Sequence, residues 1–153
     1  MLRTLLAHAD EDAQTAELAE AGGRAFVSQS LRPYLLAGLL DREPDRPAIV
    51  VAGDDRAARD LANALKAWLE PRSVRYYPSR GVTYESHLAP PPHLVGLRIA
   101  ALDALLETTN DSAPVVVVSA VALSEKVPDP ALRPHAFTLR MGELLDLDET
   151  AME

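Results

Sequence analysis

The sequence predicts an α/β domain: a parallel sheet with helices on both of its faces. Three observations carry this. The continuous apolar runs Ala48-Ile49-Val50-Val51-Ala52 and Val115-Val116-Val117-Val118 have the length and composition of strands buried on both faces. Two longer segments with helical apolar spacing lie between them. Strands that alternate with helices are joined by crossovers, and crossovers align the strands in parallel.

The elements follow in order. Residues 2–21 are rich in Leu, Ala and Glu and read as one or two helices, an N-terminal helical segment over 1–23. The domain proper spans 24–143 and opens on a short strand, Arg24 to Val27. Leu31 to Leu40 is a leucine-rich helix whose only breaker, Pro33, stands in the first turn, where a missing N–H is tolerated. After Ala48–Ala52, either Asp54 or Asp55 caps a helix. Its apolar positions Ala57, Ala58, Leu61, Ala62, Leu65, Trp68 and Leu69 keep helical spacing throughout. Val74 to Tyr77 is the next strand, ended by Pro78, and an irregular loop runs on to Pro92. Leu94, Val95, Ile99, Leu102, Leu105 and Leu106 mark a further amphipathic helix. Val115 to Val118 is the third strand, and Ala120 to Leu123 a short helical turn. Phe137 to Arg140 reads as a last strand. From Leu144 a new helical pattern begins, so 144–153 is expected to open a helix leading into a further domain of a longer protein. The twelve prolines stand at these junctions and punctuate the elements.

Composition narrows the function. With 153 residues, 48% of them hydrophobic, the chain is long enough for one domain with a real core. It has no cysteine, which excludes disulfides and thiolate metal or redox sites and fits a cytoplasmic location. The N-terminus turns acidic at Asp10-Glu11-Asp12 before a signal-peptide core can form, and no apolar run approaches the ~20 residues of a membrane span. A formal charge of −8 gives no electrostatic drive toward nucleic acid. Arg32, Arg42 and Arg46 form no basic patch, because Asp41, Glu43 and Asp45 alternate with them.

Each candidate site competes with a plainer reading. A phosphate-binding loop needs glycines, so that backbone amides can wrap the phosphates, and a lysine to neutralise charge. The corresponding turn here, Val27-Ser28-Gln29-Ser30-Leu31-Arg32, has neither, so it reads as a degenerate P-loop with no nucleotide. Asp54-Asp55 after a buried strand is the pattern that holds magnesium in receiver-like domains. Capping and the helix dipole account for both acids without a ligand, and that reading is preferred. Ser119 lacks the glycine frame of a nucleophile elbow. His8, His87, His93 and His135 have no ligand set around them, and Tyr76, Tyr77 and Tyr84 read as core and loop anchors. Arg98 shares a helix side with Leu94 and Leu102 and therefore needs a partner, expected to be Glu85 or a loop carbonyl near Tyr84.

The stretch Tyr77-Pro78-Ser79, Tyr84-Glu85, Pro90 and Val95-Gly96-Leu97-Arg98-Ile99 resembles the N-terminal domain of the bacterial transcription-repair coupling factors (Mfd). Arg140-Met141-Gly142-Glu143 resembles that family's passage into its second domain, and the resemblance spans roughly residues 24–150. Pro78, Tyr84, Glu85, Pro90, Gly96 and Arg98 are the positions that carry the motif. The chain departs from the pattern at Arg80, where the family often has tryptophan, and at His93, where it has aspartate. Tyr84-Glu85 fits with a one-residue slip. The related excision-repair helicase UvrB keeps an intact P-loop and a long aromatic hairpin, and Ser79 to Pro92 is too short and aromatic-poor for that hairpin.

The resemblance implies a degenerate helicase-type (RecA-like) domain without catalysis or cofactor of its own. The parent would be an ATP-dependent DNA translocase that displaces stalled RNA polymerase and recruits UvrA for nucleotide excision repair. The domain's partners would be the adjacent domains of that parent, with UvrA contacted mainly through the next domain. A nucleotide- or magnesium-binding module of receiver or NTPase type is the alternative.

Overall fold

The computed structural model describes residues 2–82, 87–106, 113–127, 129–132 and 141–142. A 3-10 turn at Arg3–Leu6 leads into α1 (Ala7–Asp10) and α2 (Ala13–Ala21). The Asp12 carboxylate caps α2 through the Thr15 amide. Then come α3 (Arg32–Asp41), β1 (Ala48–Ala52), α4 (Asp55–Leu69), β2 (Val74–Tyr77), α5 (Pro92–Leu106), β3 (Val115–Ser119) and α6 (Ala120–Ser124). A second 3-10 turn, Pro130–Leu132, follows. Among the described residues no helix is long and apolar enough to cross a membrane.

The three strands form one parallel sheet in the order β1-β3-β2. The chain leaves β1, passes through α4, lands on β2 and returns through α5 to the central strand β3. Right-handed crossovers in opposite directions put their helices on opposite faces. The core divides accordingly. Val115 and Val117 point to one side, where Ala58, Ala62, Leu65 and Leu69 of α4 meet Leu6 and Ala37. Val116 and Val118 point to the other, against Ala101 of α5 and Ala122 of α6. Helices therefore cover both faces of β2 and β3, as the sequence predicts.

α3 lies on the α4 side, with the Tyr34 and Trp68 rings 5.3 Å apart and tilted by 60°. The N-terminal turns pack on α3. A Cβ on Gly38 would stand 2.7 Å from the Ala9 Cβ, so only glycine permits this approach.

Three expectations change. Arg24 to Val27 is not a strand: among the described residues the segment has no ladder partner, and Phe26 is fully exposed. Its composition suits a strand, but a strand exists only through a neighbour, and β1 pairs with β3 alone among the described strands. β1 is also not buried on both faces. Ile49 and Val51 are 59% and 51% exposed, because on that face α5 packs on β2 and β1 is met by the short α6. Finally, α5 is not amphipathic but apolar all round, with Val95, Leu97, Ile99 and Leu106 exposed. Phe137 to Arg140 and the 144–153 segment lie outside the described residues.

Candidate functional site

In open parallel sheets, ligands bind beyond the carboxyl ends of the strands, where neighbouring strands send their connections to opposite faces. Here that point falls between β1, which leads to α4, and β3, which leads to α6 on the other face. The residues that arrive there are Gly53-Asp54-Asp55 after β1 and Ser119 at the end of β3, with Pro78-Ser79 after neighbouring β2.

Asp54 is the N-cap of α4. Its backbone is extended and its Oδ1 accepts the Ala57 amide at 2.7 Å, a cap worth about 1 kcal/mol. Asp55 is the first residue of the helix and has a different task. Its Oδ1 accepts the Ser119 hydroxyl at 2.7 Å and the Ser79 amide at 3.0 Å, while Oδ2 accepts the Ser79 hydroxyl. The Tyr76 hydroxyl donates to the Asp55 carbonyl at 3.0 Å. One carboxylate thus joins the ends of all three strands. Burial alone raises the Asp55 pKa, but donors from Ser79 and Ser119 outweigh it and hold the carboxyl below its ordinary value. Burial, and then the Asp55 charge, push the Tyr76 hydroxyl up to about 12.

The cleft is therefore closed by the protein's own polar groups. Ser119 is fully buried and caps α6 through the Ala122 amide while it donates to Asp55. A phosphate at the α4 N-terminus would meet two carboxylates where it needs amides. A magnesium ion would have to displace three donors from Asp55. Among the described residues no group of three or more His, Cys, Asp and Glu is placed to hold a metal. His8 sits on the surface 3.7 Å from Glu11.

The turn Val27–Arg32 stands elsewhere, at the entry to α3, and no strand precedes it among the described residues. The Leu31 amide donates to the Ser28 carbonyl at 3.0 Å, and Arg32 Nε to the Val27 carbonyl at 3.4 Å. Ser28, Gln29, Ser30, Leu31 and Arg32 are exposed. This is a hydrogen-bonded helix entry with side chains where a phosphate loop presents bare backbone, so the residues present do not fit a nucleotide phosphate.

Two motif positions from the sequence meet in a second cluster. Arg98 Nη1 donates to the Pro78 carbonyl at 2.8 Å and to Glu125 Oε2 at 2.5 Å. Its guanidinium also lies 4.2 Å from the Tyr77 ring centroid. Glu125 accepts the Arg80 amide as well, at 3.0 and 3.2 Å. Arg98 does need a partner, but the structure supplies Glu125 and the Pro78 carbonyl. Tyr84 and Glu85 lie outside the described residues. Pro90 lines an adjacent groove instead, and a Cβ on Gly96 would meet nothing within 4 Å.

Replacing Arg98 with alanine should cost about 2 kcal/mol, because a mostly buried charge pair and a bond to a carbonyl are lost together. Lysine has a shorter reach and no planar group to lie over the Tyr77 ring, so it should recover under half of that. Urea unfolding of the two variants measures both values.

Sequence reasoning passes over Glu125 and Arg72, and names Ser79 only within the motif stretch Tyr77-Pro78-Ser79, with no role at Asp55. Arg72 is buried, and its guanidinium donates to the carbonyls of Ala113 at 2.7 Å, Arg46 at 2.6 Å and Leu40. It does for the amino ends of the strands what Asp55 does for their carboxyl ends. No family model matches the chain, and no curated protein matches it.

Proposed function

We propose that the chain is a non-catalytic scaffold domain, the degenerate helicase-type first domain of a transcription-repair coupling factor. The observation that carries the non-catalytic reading is the closed switch point, where Asp55 takes Ser79 and Ser119 in the cleft that α/β enzymes keep open for ligands. The strand order and the opposed helices suit a fragment of a helicase-type sheet. The motif residues Pro78 and Arg98 bond to each other, which gives a structural reason for their joint presence. The assignment to this particular family rests on the sequence resemblance. In this reading the domain frames a neighbouring recognition domain of the parent translocase and does no chemistry itself.

Calorimetric titration with magnesium-ATP is expected to give no saturable heat. The chain by itself is expected to bind neither duplex DNA at physiological salt nor UvrA. A chain extended through the next domain should gain UvrA binding and still ignore ATP. Sub-millimolar ATP binding would promote the nucleotide-binding alternative. UvrA binding by the short chain, as tight as by the long one, would place the recognition surface within residues 1–153 and sink the scaffold role.

A further inference from the structure

We infer that the outer edge of β1 is a self-association surface, on which a second copy of this chain lays its own β1 antiparallel about a two-fold axis at Val50. β1 is an edge strand, with β3 on one side and no described strand on the other. The Ala48 amide donates to the Pro114 carbonyl beside β3 at 3.1 Å. In a parallel ladder successive residues turn their N–H and C=O alternately to the two sides. Ala48, Val50 and Ala52 therefore face β3, and Ile49 and Val51 turn both main-chain groups outward. No described residue bonds to those outward groups. Only another extended strand meets such donors and acceptors in step.

Sheet edges are normally protected by a charge, a proline or a bulge. Ala48-Ile49-Val50-Val51-Ala52 contains neither charge nor proline, and its register with β3 runs without a bulge. The side chains of Ile49 and Val51 are exposed as well, on the face that α6 only partly covers.

The strand is its own complement. With Val50 on the axis, Ile49 stands opposite Val51 of the second copy, and Ala48 opposite its Ala52. Ile49 and Val51 are the residues whose main-chain groups point outward, so each such pair exchanges both of its hydrogen bonds. Their β-branched side chains then pack on one face, and the two Val50 side chains meet on the other. Pro47, which has no N–H to give, falls opposite Gly53, which has no side chain to obstruct it. Beyond the strand the same register brings Arg46 toward Asp54 of the second copy at both ends, a base toward an acid. Both residues are exposed, and Arg46 already lies 3.0 Å from Glu43, so its guanidinium would stand between two carboxylates. The pairing joins two three-stranded sheets into one continuous sheet. Asp45 adds an acid at each end, and the chain's charge of −8 opposes association in general. One short strand edge also falls below the ~1,200–2,000 Å² of a stable interface, so the dimer is expected to be weak, with a dissociation constant on the order of 100 µM.

Sedimentation velocity on the full chain tests this, over concentrations from roughly 5 to about 500 µM that bracket such a constant. The weight-average mass should rise toward that of a dimer. Val51→Pro removes an outward N–H and leaves the ladder to β3 intact, so it should weaken association at least about tenfold. Ile49→Lys, at an exposed position, places a charge on the edge and should do the same. Arg46→Glu should weaken it about threefold, the effect of one exposed ion pair at each end. The Ile49→Lys variant should melt with the parent chain, which keeps the test sound if proline disturbs the strand. Amide exchange supplies a second readout. The Ile49 and Val51 amides should exchange freely in dilute solution and slow as concentration rises, while the Val50 amide stays protected by β3 throughout. A sedimentation coefficient that stays monomeric overturns the proposal. So does a dimer that Val51→Pro and Ile49→Lys still form, or one in which the Ile49 and Val51 amides remain unprotected. A dimer abolished by Ile99→Lys, and not by the β1 variants, places the contact on α5 and overturns it as well.

Discussion

Replacing Arg72 with alanine is expected to remove about 4 kcal/mol of stability, a large loss for one side chain. Three elements depend on one guanidinium. Leu40 closes α3, Arg46 precedes β1 and Ala113 precedes β3, and all three offer carbonyls to Arg72 in the turn between α4 and β2. The residue is only 4% exposed, so no water replaces the lost donors cheaply. Burial disfavours the charge of Arg72, and Asp41 partly offsets that. Asp41 is itself held by Arg3 at 2.8 Å.

Arg72→Met separates packing from hydrogen bonding, because it keeps most of the volume and none of the donors. It should recover under half of the loss. Arg72→Lys should do little better, since one ammonium cannot reach three divergent carbonyls. With about 2–4 °C per kcal/mol for a chain near this size, the alanine variant should melt roughly 8–16 °C lower. A fall of less than about 3 °C, below the smallest shift expected for 1.5 kcal/mol, would mean that the carbonyls find other donors.

These two polar hubs mark the boundary of what the sequence reveals. Periodicity and breakers locate β1, α4, β2, β3 and the Asp54 cap to within a residue, because each depends on neighbours close in sequence. The hubs depend on distant ones: Asp55 meets Ser119 across 64 positions, and Arg72 meets Ala113 across 41. Nothing local distinguishes Glu125 from any other loop residue, and Ser79 stands in the Tyr77-Pro78-Ser79 stretch without a sign that it meets Asp55. The one clue is chemical: an arginine on an apolar helix side must have a partner, although the sequence does not say which.

The misreadings share a cause. Arg24 to Val27 has strand composition, and Ala48–Ala52 has the composition of a doubly buried strand, yet both properties require something placed beside or over the segment. The apolar α5 is legible as a helix but not as one that exposes Val95, Leu97, Ile99 and Leu106, because apolar residues are predicted inside by default. The turn Val27–Arg32 does lack glycine and lysine, but its expected place after a strand depends on the misread segment before it.

Replacing Asp55 with alanine should cost about 3 kcal/mol at neutral pH, since it strands the buried Ser119 hydroxyl and both Ser79 donors. Asp54→Ala, which removes only a cap, should cost about a third as much. The sharper signature is in pH. The Asp55 carboxyl titrates below its unfolded value when the chain is folded, so the folded state prefers the ionised form. Its contribution is therefore fully present above the ordinary aspartate value of about 3.9 and is lost as pH falls through the lower folded value. Asp55→Asn keeps the shape but removes the charge and turns one acceptor into a donor. It should be destabilised at pH 7 and approach the parent chain as pH falls below about 4 and on through the lower folded value, where the parent's own folded carboxyl becomes neutral. The Asp54→Asn variant keeps a competent cap and should track the parent at both pH values. Urea midpoints for the three proteins, from pH 7 down past the ordinary aspartate value of about 3.9 and as far below it as the fold survives, follow that titration. If the gap between parent and Asp55→Asn stays constant across the range, the carboxylate does not join the strand ends through its charge, and the closed switch point loses its electrostatic basis.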